Sequence, residues 1–268
     1  MSTPETFESV ACEAARAAGR LVRARFDGGR PVSVERKGLH DFVTAVDREA
    51  EAAVIAHLRS RFPDHAVMSE EASPEASAAD HRWIVDPLDG TTNFIHGVPL
   101  FAVSVALEDR QGLVAGAIHD PLRQETFHAR RAGGARLNGQ PIRCSDPEDP
   151  HEALVATGFP FRELSRLDRY LEAFAAFVRT TAGLRRAGSA SIDLAYTACG
   201  RYDGFWEIGL SRWDIAAGVL IVREAGGRVT DVLGGETMLD SGDIVAAGAR
   251  LHVRMLELTR NAFGERRP

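Results

Sequence analysis

Residues 83–94 have the sequence Trp83-Ile84-Val85-Asp86-Pro87-Leu88-Asp89-Gly90-Thr91-Thr92-Asn93-Phe94. The apolar residues before Asp86 predict a buried β-strand, and Pro87 predicts the end of that strand because it cannot donate a ladder hydrogen bond. Gly90 permits a turn, and the hydroxyl of Thr91 or Thr92 is expected to cap the helix that follows. The stretch therefore predicts a strand that runs directly into a carboxylate-bearing turn.

Asp86 and Asp89 flank apolar residues in this turn. An isolated Asp-x-x-Asp after a strand is more often a turn former than a binding site. Here, however, an unpaired charge beside apolar residues would cost several kcal/mol. Ligands of open α/β sheets bind outside the carboxyl ends of the strands, and free amides at a turn bind anions. We therefore expect cations beside these two carboxylates.

Other acids occupy similar positions along the chain. Glu70 and Glu71 follow the short predicted strand Ala66–Met68, and Asp47 and Asp214 lie at the starts of predicted helices. Each acid taken alone is better explained as a solvated loop residue or a helix cap. Together, the acids at strand and helix ends predict one crevice that gathers Asp47, Glu70, Asp86, Asp89 and Asp214.

An oxygen-only donor set selects a hard cation, so Mg²⁺ is expected, with Mn²⁺ as an alternative, whereas zinc would recruit His or Cys. Two such ions can activate water and stabilise a leaving oxygen in phosphoryl chemistry. The sequence has neither a Gly-x-x-x-x-Gly-Lys-Ser/Thr loop nor a Gly-x-Gly-x-x-Gly fingerprint,. These absences favour hydrolysis over nucleotide-driven transfer or dinucleotide redox chemistry.

The rest of the chain predicts layered α/β packing with a mixed sheet, as a single unit over residues 1–268 with an α+β part to about residue 150 and an α/β part after it,. Apolar residues at helical spacing predict an opening helix over 5–26. Lys37–His40 and Ser73–Asp80 are expected to be loops, and Asn138-Gly139 predicts a hairpin. Predicted strands in the first half are Ala66–Met68, Arg82–Val85, Ala102–Leu107, Leu113–His119 and Glu125–Ala129. The second half predicts helices Leu167–Thr180, Ser191–Cys199, Asp214–Ala225 and Leu251–Phe263 and strands Gly204–Ile208, Arg228–Val232 and Ile244–Ala247.

Composition narrows the class of protein. The net charge is −6, which argues against binding nucleic acid or an anionic membrane through bulk charge,. No apolar run approaches the ~20 residues of a membrane helix, and three scattered cysteines do not form a disulfide framework,. We expect a reduced, cytoplasmic, soluble enzyme.

Two stretches resemble the signature motifs of the inositol monophosphatase family: Asp86–Phe94 and Trp213-Asp214-Ile215-Ala216-Ala217-Gly218. The resemblance extends over nearly the whole chain and implies the layered αβαβα fold of sugar phosphatases. It also implies a homodimer with Mg²⁺-dependent, Li⁺-sensitive phosphomonoesterase activity. Further matching stretches are Asp41–Asp47, Ser69-Glu70-Glu71, Gly158–Phe161, Gly188-Ser189-Ala190 and Phe205–Gly209.

The resemblance implies specific metal ligands. One Mg²⁺ would bind Glu70, Asp86 and the backbone carbonyl of Leu88. A second would bind Asp86, Asp89 and Asp214, and a third, weaker ion would bind Glu70 largely through water. In this scheme positioning and charge neutralisation perform the catalysis without a covalent intermediate.

The resemblance also implies the catalytic and phosphate-binding groups. Thr91, polarised by Asp47, would orient the attacking water, and the amides of Gly90 and Thr91 would hold phosphate oxygens. The Lys37–His40 loop contains the family's loop lysine, but the residues after it differ from the family pattern.

Substrate hydroxyls would be held by Asp89, the backbone of Ala190, Glu207 and Asp214. Glu207 is informative because it lies in a predicted strand between apolar neighbours, where a buried acid needs a partner such as a polyol hydroxyl. Without the family match, a salt bridge from Glu207 to Arg186 or Arg212 explains the residue equally well.

The leading hypothesis is an inositol 1-phosphate phosphatase or a close sugar-phosphate relative. Histidinol phosphate, fructose 1,6-bisphosphate and adenosine 3′,5′-bisphosphate are alternative substrates, because the related folds share the metal core. A different class is a regulatory protein, since some bacterial members of the family bind transcription machinery. The arginine-rich stretches Arg20–Arg30 and Arg162–Arg186 could serve such contacts but are more typical of solvated helix faces. A purely regulatory chain could lose metal ligands, and this one keeps all of them.

Overall fold

Helices and sheets stack in five layers, in the order helix, sheet, helix, sheet, helix. The computed structural model describes residues 3–29, 34–38, 41–71, 79–161 and 163–264. Its helices are α1 (Pro4–Asp27), α2 (Ala45–Arg61), α3 (Thr91–His96), α4 (Leu167–Thr180), α5 (Ala190–Ala198), α6 (Arg212–Glu224), α7 (Met238–Ser241) and α8 (Ala249–Phe263). Its strands are β1 (Val34–Gly38), β2 (Asp41–Thr44), β3 (Ala66–Ser69), β4 (His81–Asp89), β5 (Ala102–Asp109), β6 (Gly112–Asp120), β7 (Glu125–Arg130), β8 (Ala135–Leu137), β9 (Gln140–Pro141), β10 (Leu154–Thr157), β11 (Gly183–Arg185), β12 (Gly204–Glu207), β13 (Arg228–Thr230) and β14 (Ile244–Ala247).

The larger sheet has seven strands in the order β3-β4-β5-β6-β7-β8-β9. Strands β3 and β4 are parallel, and the rest form an antiparallel meander. The predicted Asn138-Gly139 hairpin joins β8 to β9, and both residues have positive φ angles (48° and 82°), as a type I′ turn requires,. Helices α1 and α2 cover one face of this sheet.

The smaller sheet has five strands in the order β11-β10-β12-β14-β13 and mixes parallel with antiparallel pairs. Helices α4 and α8 cover its outer face. Helices α5 and α6 lie between the two sheets. Every residue of α5 is buried, as expected for a helix with a sheet on either side,. The αβαβα architecture and the mixed sheets are therefore confirmed.

The prediction that the strand ends at Pro87 is wrong. Strand β4 continues to Asp89, and its register against β5 slips by one residue between Asp86 and Asp89, which is a β-bulge,. Pairing with β3 stops at Val85. Pro87 therefore lies in the bulge of a strand that is paired on one side, where no ladder hydrogen bond from its nitrogen is needed.

The two loop predictions fall partly outside the described residues. Lys37 and Gly38 belong to β1, which pairs with β2, so these two positions are strand rather than loop, while 39 and 40 are outside the described residues. Of the segment 73–80, the structure describes only the last two residues. Within the described ranges, no helix combines the length and the apolar character needed to cross a bilayer.

Candidate active site

A cavity of about 300 Å³ opens where the end of β4 faces the starts of α5 and α6. It is lined by Glu70, Asp86, Leu88, Asp89, Gly90, Thr91, Thr92, Gly158, Phe159, Pro160, Phe161, Arg186, Gly188, Ser189, Ala190, Asp193, Glu207, Ile208, Gly209, Leu210 and Asp214. The structure thus brings every residue predicted for metal or substrate binding to one cavity. Asp47 is not among the lining residues and lies behind Thr91.

The bulge in β4 shapes the floor of the cavity. Asp86 is 1% exposed, and its Oδ1 accepts a hydrogen bond of 3.0 Å from the backbone amide of Leu88. This short-range bond leaves the rest of the Asp86 carboxylate and the Leu88 carbonyl at the cavity.

Asp47 is held by the helix start that it helps to form. It is the N3 residue of a capping box at the start of α2,. Its Oδ2 accepts from the backbone amide of Thr44 at 2.8 Å and from the Thr44 hydroxyl at 2.6 Å. Its Oδ1 accepts from the hydroxyl of Thr91 at 3.0 Å. The carboxylate therefore ties a helix to the cavity wall.

Thr91 does not cap a helix, contrary to one sequence prediction. The N-cap of α3 is Gly90, with φ 97°, and no side chain accepts a capping hydrogen bond there. A Cβ at position 90 would also lie 3.1 Å from the carbonyl oxygen of Leu100. Both the positive φ angle and this close contact therefore favour glycine at the position. The hydroxyl of Thr91 instead lies 3.0 Å from both Asp47 Oδ1 and the Leu88 carbonyl oxygen. Both neighbours are acceptors, so one of them takes the hydroxyl proton and the lone pairs of the Thr91 oxygen remain available,.

Asp214 repeats the arrangement of Asp47 in the second half of the chain. It is the N3 residue of a capping box at the start of α6, and its Oδ2 accepts from the backbone amide of Ser211 at 2.7 Å. Helix α6 therefore begins at Arg212, slightly earlier than predicted. The buried acid serves the helix start and still borders the cavity.

Asp89 links β4 to the start of α5. Its Oδ2 accepts from the hydroxyl of Ser189 at 2.6 Å, from the amide of Ser191 at 2.7 Å and from the hydroxyl of Ser191. Sequence reasoning missed these two serines as partners. Their position around Ala190 at a helix start was the available signal.

Glu207 ends β12 and packs closely on Gly158. A Cβ at position 158 would fall 2.0 Å from Glu207 Oε1, so glycine leaves room for the carboxylate where it now lies. Of the two arginines predicted as alternative partners, Arg212 donates to Glu108 and Asp240 at 2.8 Å each. Arg186 lies over the rings of Phe159 and Phe161 at 5.3 and 5.5 Å.

Asp193 is a cavity residue that the sequence reasoning missed. It lies in the first turn of α5 and is 1% exposed. The available signal was a lone carboxylate in the otherwise apolar run of this helix.

The acids of the cavity raise one another's pKa. Burial raises the pKa of Asp86 well above its ordinary value, and the charges of Glu70, Asp89 and Asp214 raise it further. Burial also raises the pKa of Asp89, against which the hydrogen bonds from Ser189 and Ser191 act. The pKa of Asp47 is raised by burial too, although Thr44 and Thr91 partly offset this. The cavity therefore concentrates negative charge at a cost in free energy.

The chain matches the family model described as the inositol monophosphatase family over residues 3–263. This chain belongs to the inositol monophosphatase family. It is 49% identical over 253 residues to a Pseudomonas aeruginosa protein named Nus factor SuhB, and the match covers 92% of this chain and 93% of that relative. It is 41% identical over 259 residues to a Mesorhizobium japonicum protein named inositol-1-monophosphatase, with 96% and 97% coverage. The crystal structure of the extragenic suppressor protein SuhB from Bartonella henselae superposes with a TM-score of 0.91 at 39% identity, covering 96% of this chain and 98% of that one.

The donor chemistry of the cavity fits the divalent cations on which this family depends. Its described lining offers carboxylates and the Leu88 carbonyl, and no His or Cys. Oxygen donors of this kind suit Mg²⁺ or Mn²⁺, and a cation would relieve the repulsion that raises the pKa of Asp86,. Within the described ranges, no three His, Cys, Asp or Glu side chains form a ready-made metal site. The fit therefore rests on the donor types and the charge rather than on a closed set of ligands.

Proposed function

We propose that this chain is a Mg²⁺-dependent phosphomonoesterase that hydrolyses inositol 1-phosphate or a closely related polyol phosphate to the alcohol and inorganic phosphate. The observation that carries the proposal is the meeting of Glu70, Asp86, Asp89 and Asp214 at one cavity with the Thr91–Asp47 hydrogen bond in its wall. The family membership supports phosphatase chemistry. We further propose that the protein acts in the cytoplasm as a homodimer, as the family resemblance implies.

The chain offers the ligands of two or three Mg²⁺ ions. Glu70, Asp86 and the carbonyl of Leu88 would hold one ion, and Asp86, Asp89 and Asp214 a second, with Glu70 contributing to a weaker third. When bound, Mg²⁺ neutralises phosphate charge, activates the attacking water and stabilises the leaving oxygen.

Thr91 would orient the attacking water. Its hydroxyl proton is committed to Asp47 or to the Leu88 carbonyl, both at 3.0 Å, so an oxygen lone pair is left to accept a hydrogen bond from water,. Asp47 is itself fixed by two donors from Thr44. This chain of hydrogen bonds holds the water in one orientation toward the phosphorus atom, and such positioning lowers the entropic cost of attack.

The turn after β4 would bind the phosphate. The left-handed backbone of Gly90 turns the chain at the cavity wall, and the amides of Gly90 and Thr91 would donate to phosphate oxygens,. The water oxygen bonds to phosphorus and releases one proton to solvent, the ester P–O bond breaks, and the leaving alcohol oxygen takes up one proton from solvent.

The alcohol would be held by other residues of the cavity lining. Glu207, Ala190, Asp89 and Asp214 line the cavity, and their carboxylates and the Ala190 backbone would accept from or donate to its hydroxyls. Glu207 is the most informative of these, because Gly158 leaves its carboxylate room at the cavity wall. A polyol has several hydroxyls that can donate to carboxylate oxygens of this kind.

The test is a turnover panel with Mg²⁺ that compares inositol 1-phosphate, histidinol phosphate, fructose 1,6-bisphosphate and adenosine 3′,5′-bisphosphate. We expect the highest kcat/KM with inositol 1-phosphate, and loss of phosphate release in EDTA. Asp86→Asn, which alters a cavity acid that is 1% exposed, serves as the inactive control. A higher kcat/KM for any other substrate would reassign the substrate, and no Mg²⁺-dependent turnover on the panel would refute the proposal.

A second candidate function is a contact with transcription machinery. It is favoured by the relative named Nus factor SuhB, which is 49% identical to this chain. The arginine-rich stretches are partly engaged within the chain, since Arg25 pairs with Glu49 and Arg166 with Asp243. Binding of the purified chain to RNA polymerase, measured by interferometry with wild type and Asp86→Asn, tests this function. Equal binding by both would support a role separate from catalysis, and no binding would exclude a direct contact.

A further inference from the structure

Asp193 is a buried acid whose Oδ1 has no hydrogen-bond partner among the described residues. The residue is 1% exposed, it lines the cavity, and its Oδ1 is enclosed without a donor in the described structure. The backbone of the residue is satisfied, because its amide donates to Ser189 O at 3.0 Å and its carbonyl accepts from Thr197 at 2.8 Å. The unsatisfied atom is therefore Oδ1 of the side chain.

The neighbouring buried acids show how unusual this is. Asp47 and Asp89 each accept three hydrogen bonds, and Asp214 completes a capping box. A buried polar group without a partner lowers the free energy of unfolding, and the hydrogen-bonded acids near Asp193 avoid this loss. Asp193 also does not serve the start of α5, because Ser189 and Asp89 already satisfy amides there.

The charges around Asp193 limit which chemical groups its carboxyl group can bind. Burial raises the pKa of Asp193 well above its ordinary value, the charges of Glu207 and Asp89 raise it further, and Arg186 lowers it. Two neighbouring carboxylates disfavour an anionic group at this point. A hydroxyl both donates and accepts, so it can pair with the carboxyl group whether that group is ionised or protonated.

We propose that Asp193 binds a hydroxyl of the alcohol part of the substrate, beside Glu207, and so selects phosphate esters of neutral polyols over phosphate esters without hydroxyls. The inference rests on the proposed phosphatase function and extends it to a buried residue that lines the cavity. A substrate hydroxyl supplies the missing hydrogen bond of the carboxyl group. Without substrate, the same group lowers the stability of the fold.

The experiment measures kcat and KM of wild type, Asp193→Ala and Asp193→Asn for inositol 1-phosphate and for p-nitrophenyl phosphate, which has no hydroxyl. We expect Asp193→Ala to raise KM for inositol 1-phosphate about tenfold, the effect of one lost hydrogen bond to a charged group. KM for the aryl ester should change less than about twofold. Asp193→Asn retains polar atoms and should give an intermediate KM, and it carries the comparison if the alanine variant does not fold.

Thermal unfolding separates binding from a structural role. The unfolding temperature of Asp193→Ala should not fall below that of wild type, because an unsatisfied carboxyl group is removed. Thr197→Val is the matched control: it perturbs the same helix away from the cavity and should leave the ratio of the two KM values unchanged.

An unchanged KM ratio in Asp193→Ala, or equal losses on both substrates, would overturn the role of Asp193 while leaving the proposed function in place. A wild type that hydrolyses the aryl ester but none of the hydroxyl-bearing phosphate esters of the panel would overturn both. A ratio that changes as much in Thr197→Val as in Asp193→Ala would reduce the effect to the packing of α5.

Discussion

Replacing Asp47 by Asn tests the hydrogen-bond chain behind the proposed attacking water. An Asn side chain has the same shape, and its oxygen can take the place of Oδ2 and accept from the amide and hydroxyl of Thr44, at 2.8 and 2.6 Å in wild type. Its NH₂ group then faces Thr91 at the present 3.0 Å position of Oδ1. The hydrogen bond reverses its direction, so the Thr91 oxygen accepts from Asn and is less available to water.

The size of the effect follows from the lost interaction. A hydrogen bond to a charged group contributes about 1.5–3 kcal/mol, which corresponds to roughly 10- to 100-fold in a rate. We therefore expect kcat for inositol 1-phosphate to fall by that factor while KM changes little, because Thr91 acts on water rather than on the alcohol. Stability should change by less than about 1 kcal/mol, because the cap of α2 is kept.

Thr44→Val is the matched control for Asp47→Asn. It removes the capping hydroxyl, which should cost about 1 kcal/mol of stability. It keeps the backbone donor to Asp47 and the Asp47–Thr91 bond, so kcat should stay within about threefold of wild type. Phosphate release and urea unfolding measure the two quantities. Wild-type kcat in Asp47→Asn, or an equal loss of kcat in Thr44→Val, would refute the reasoning.

Three further predictions concern separate parts of the chain. Asp89→Asn keeps an acceptor for its present donors but removes a charge, so hydrolysis should be abolished with an unchanged unfolding temperature, and near wild-type phosphate release would contradict its role. Glu207→Gln should raise KM for inositol 1-phosphate more than KM for p-nitrophenyl phosphate, and equal changes would remove Glu207 from specificity. Burial, with the charges of Arg228 and Arg260, lowers the pKa of His252 to about 4. Below the ordinary pKa of 6.5 the folded state therefore binds fewer protons than the unfolded chain. The free energy of unfolding that is present above pH 6.5 is lost as the pH falls through 4, by up to about 3 kcal/mol. His252→Gln should flatten this part of the urea-unfolding pH profile, and an identical profile would exclude His252 as its source.

Layered α/β packing with a mixed sheet could be predicted from patterns in local segments of the sequence, whereas the αβαβα order of the layers was implied by the family resemblance. The meander, the Asn138-Gly139 hairpin and the helix Leu167–Thr180 were all predicted and are confirmed. Pro87 shows where such rules stop. Whether a proline ends a strand depends on which neighbours that strand has, and β3 stops pairing with β4 at Val85. The pairing of β4 with its neighbours is a property of the whole sheet, so it cannot be predicted from residues 83–94 alone.

The acids of the candidate site were predicted to meet, but their partners were not. The sequence allowed the hydroxyl of Thr91 either to cap a helix or to bond to Asp47. Only the distance between the starts of α3 and α2, where these two residues lie, decides between the two. Asp193 was overlooked because its burial depends on the sheets on both sides of α5. The roles of all these residues in catalysis and binding stay predictions.

Asp47 and Asp214 each occupy the third position of a helix and accept from the backbone at its start. A descendant that abandoned phosphate chemistry would still gain from keeping both residues, since losing either one would fray a helix. Finding both residues in another member of the family is therefore weak evidence that this member has phosphatase activity. Glu70 and Asp86 begin no helix, and in a survey of relatives these two positions would distinguish catalysts from scaffolds that only share their shape.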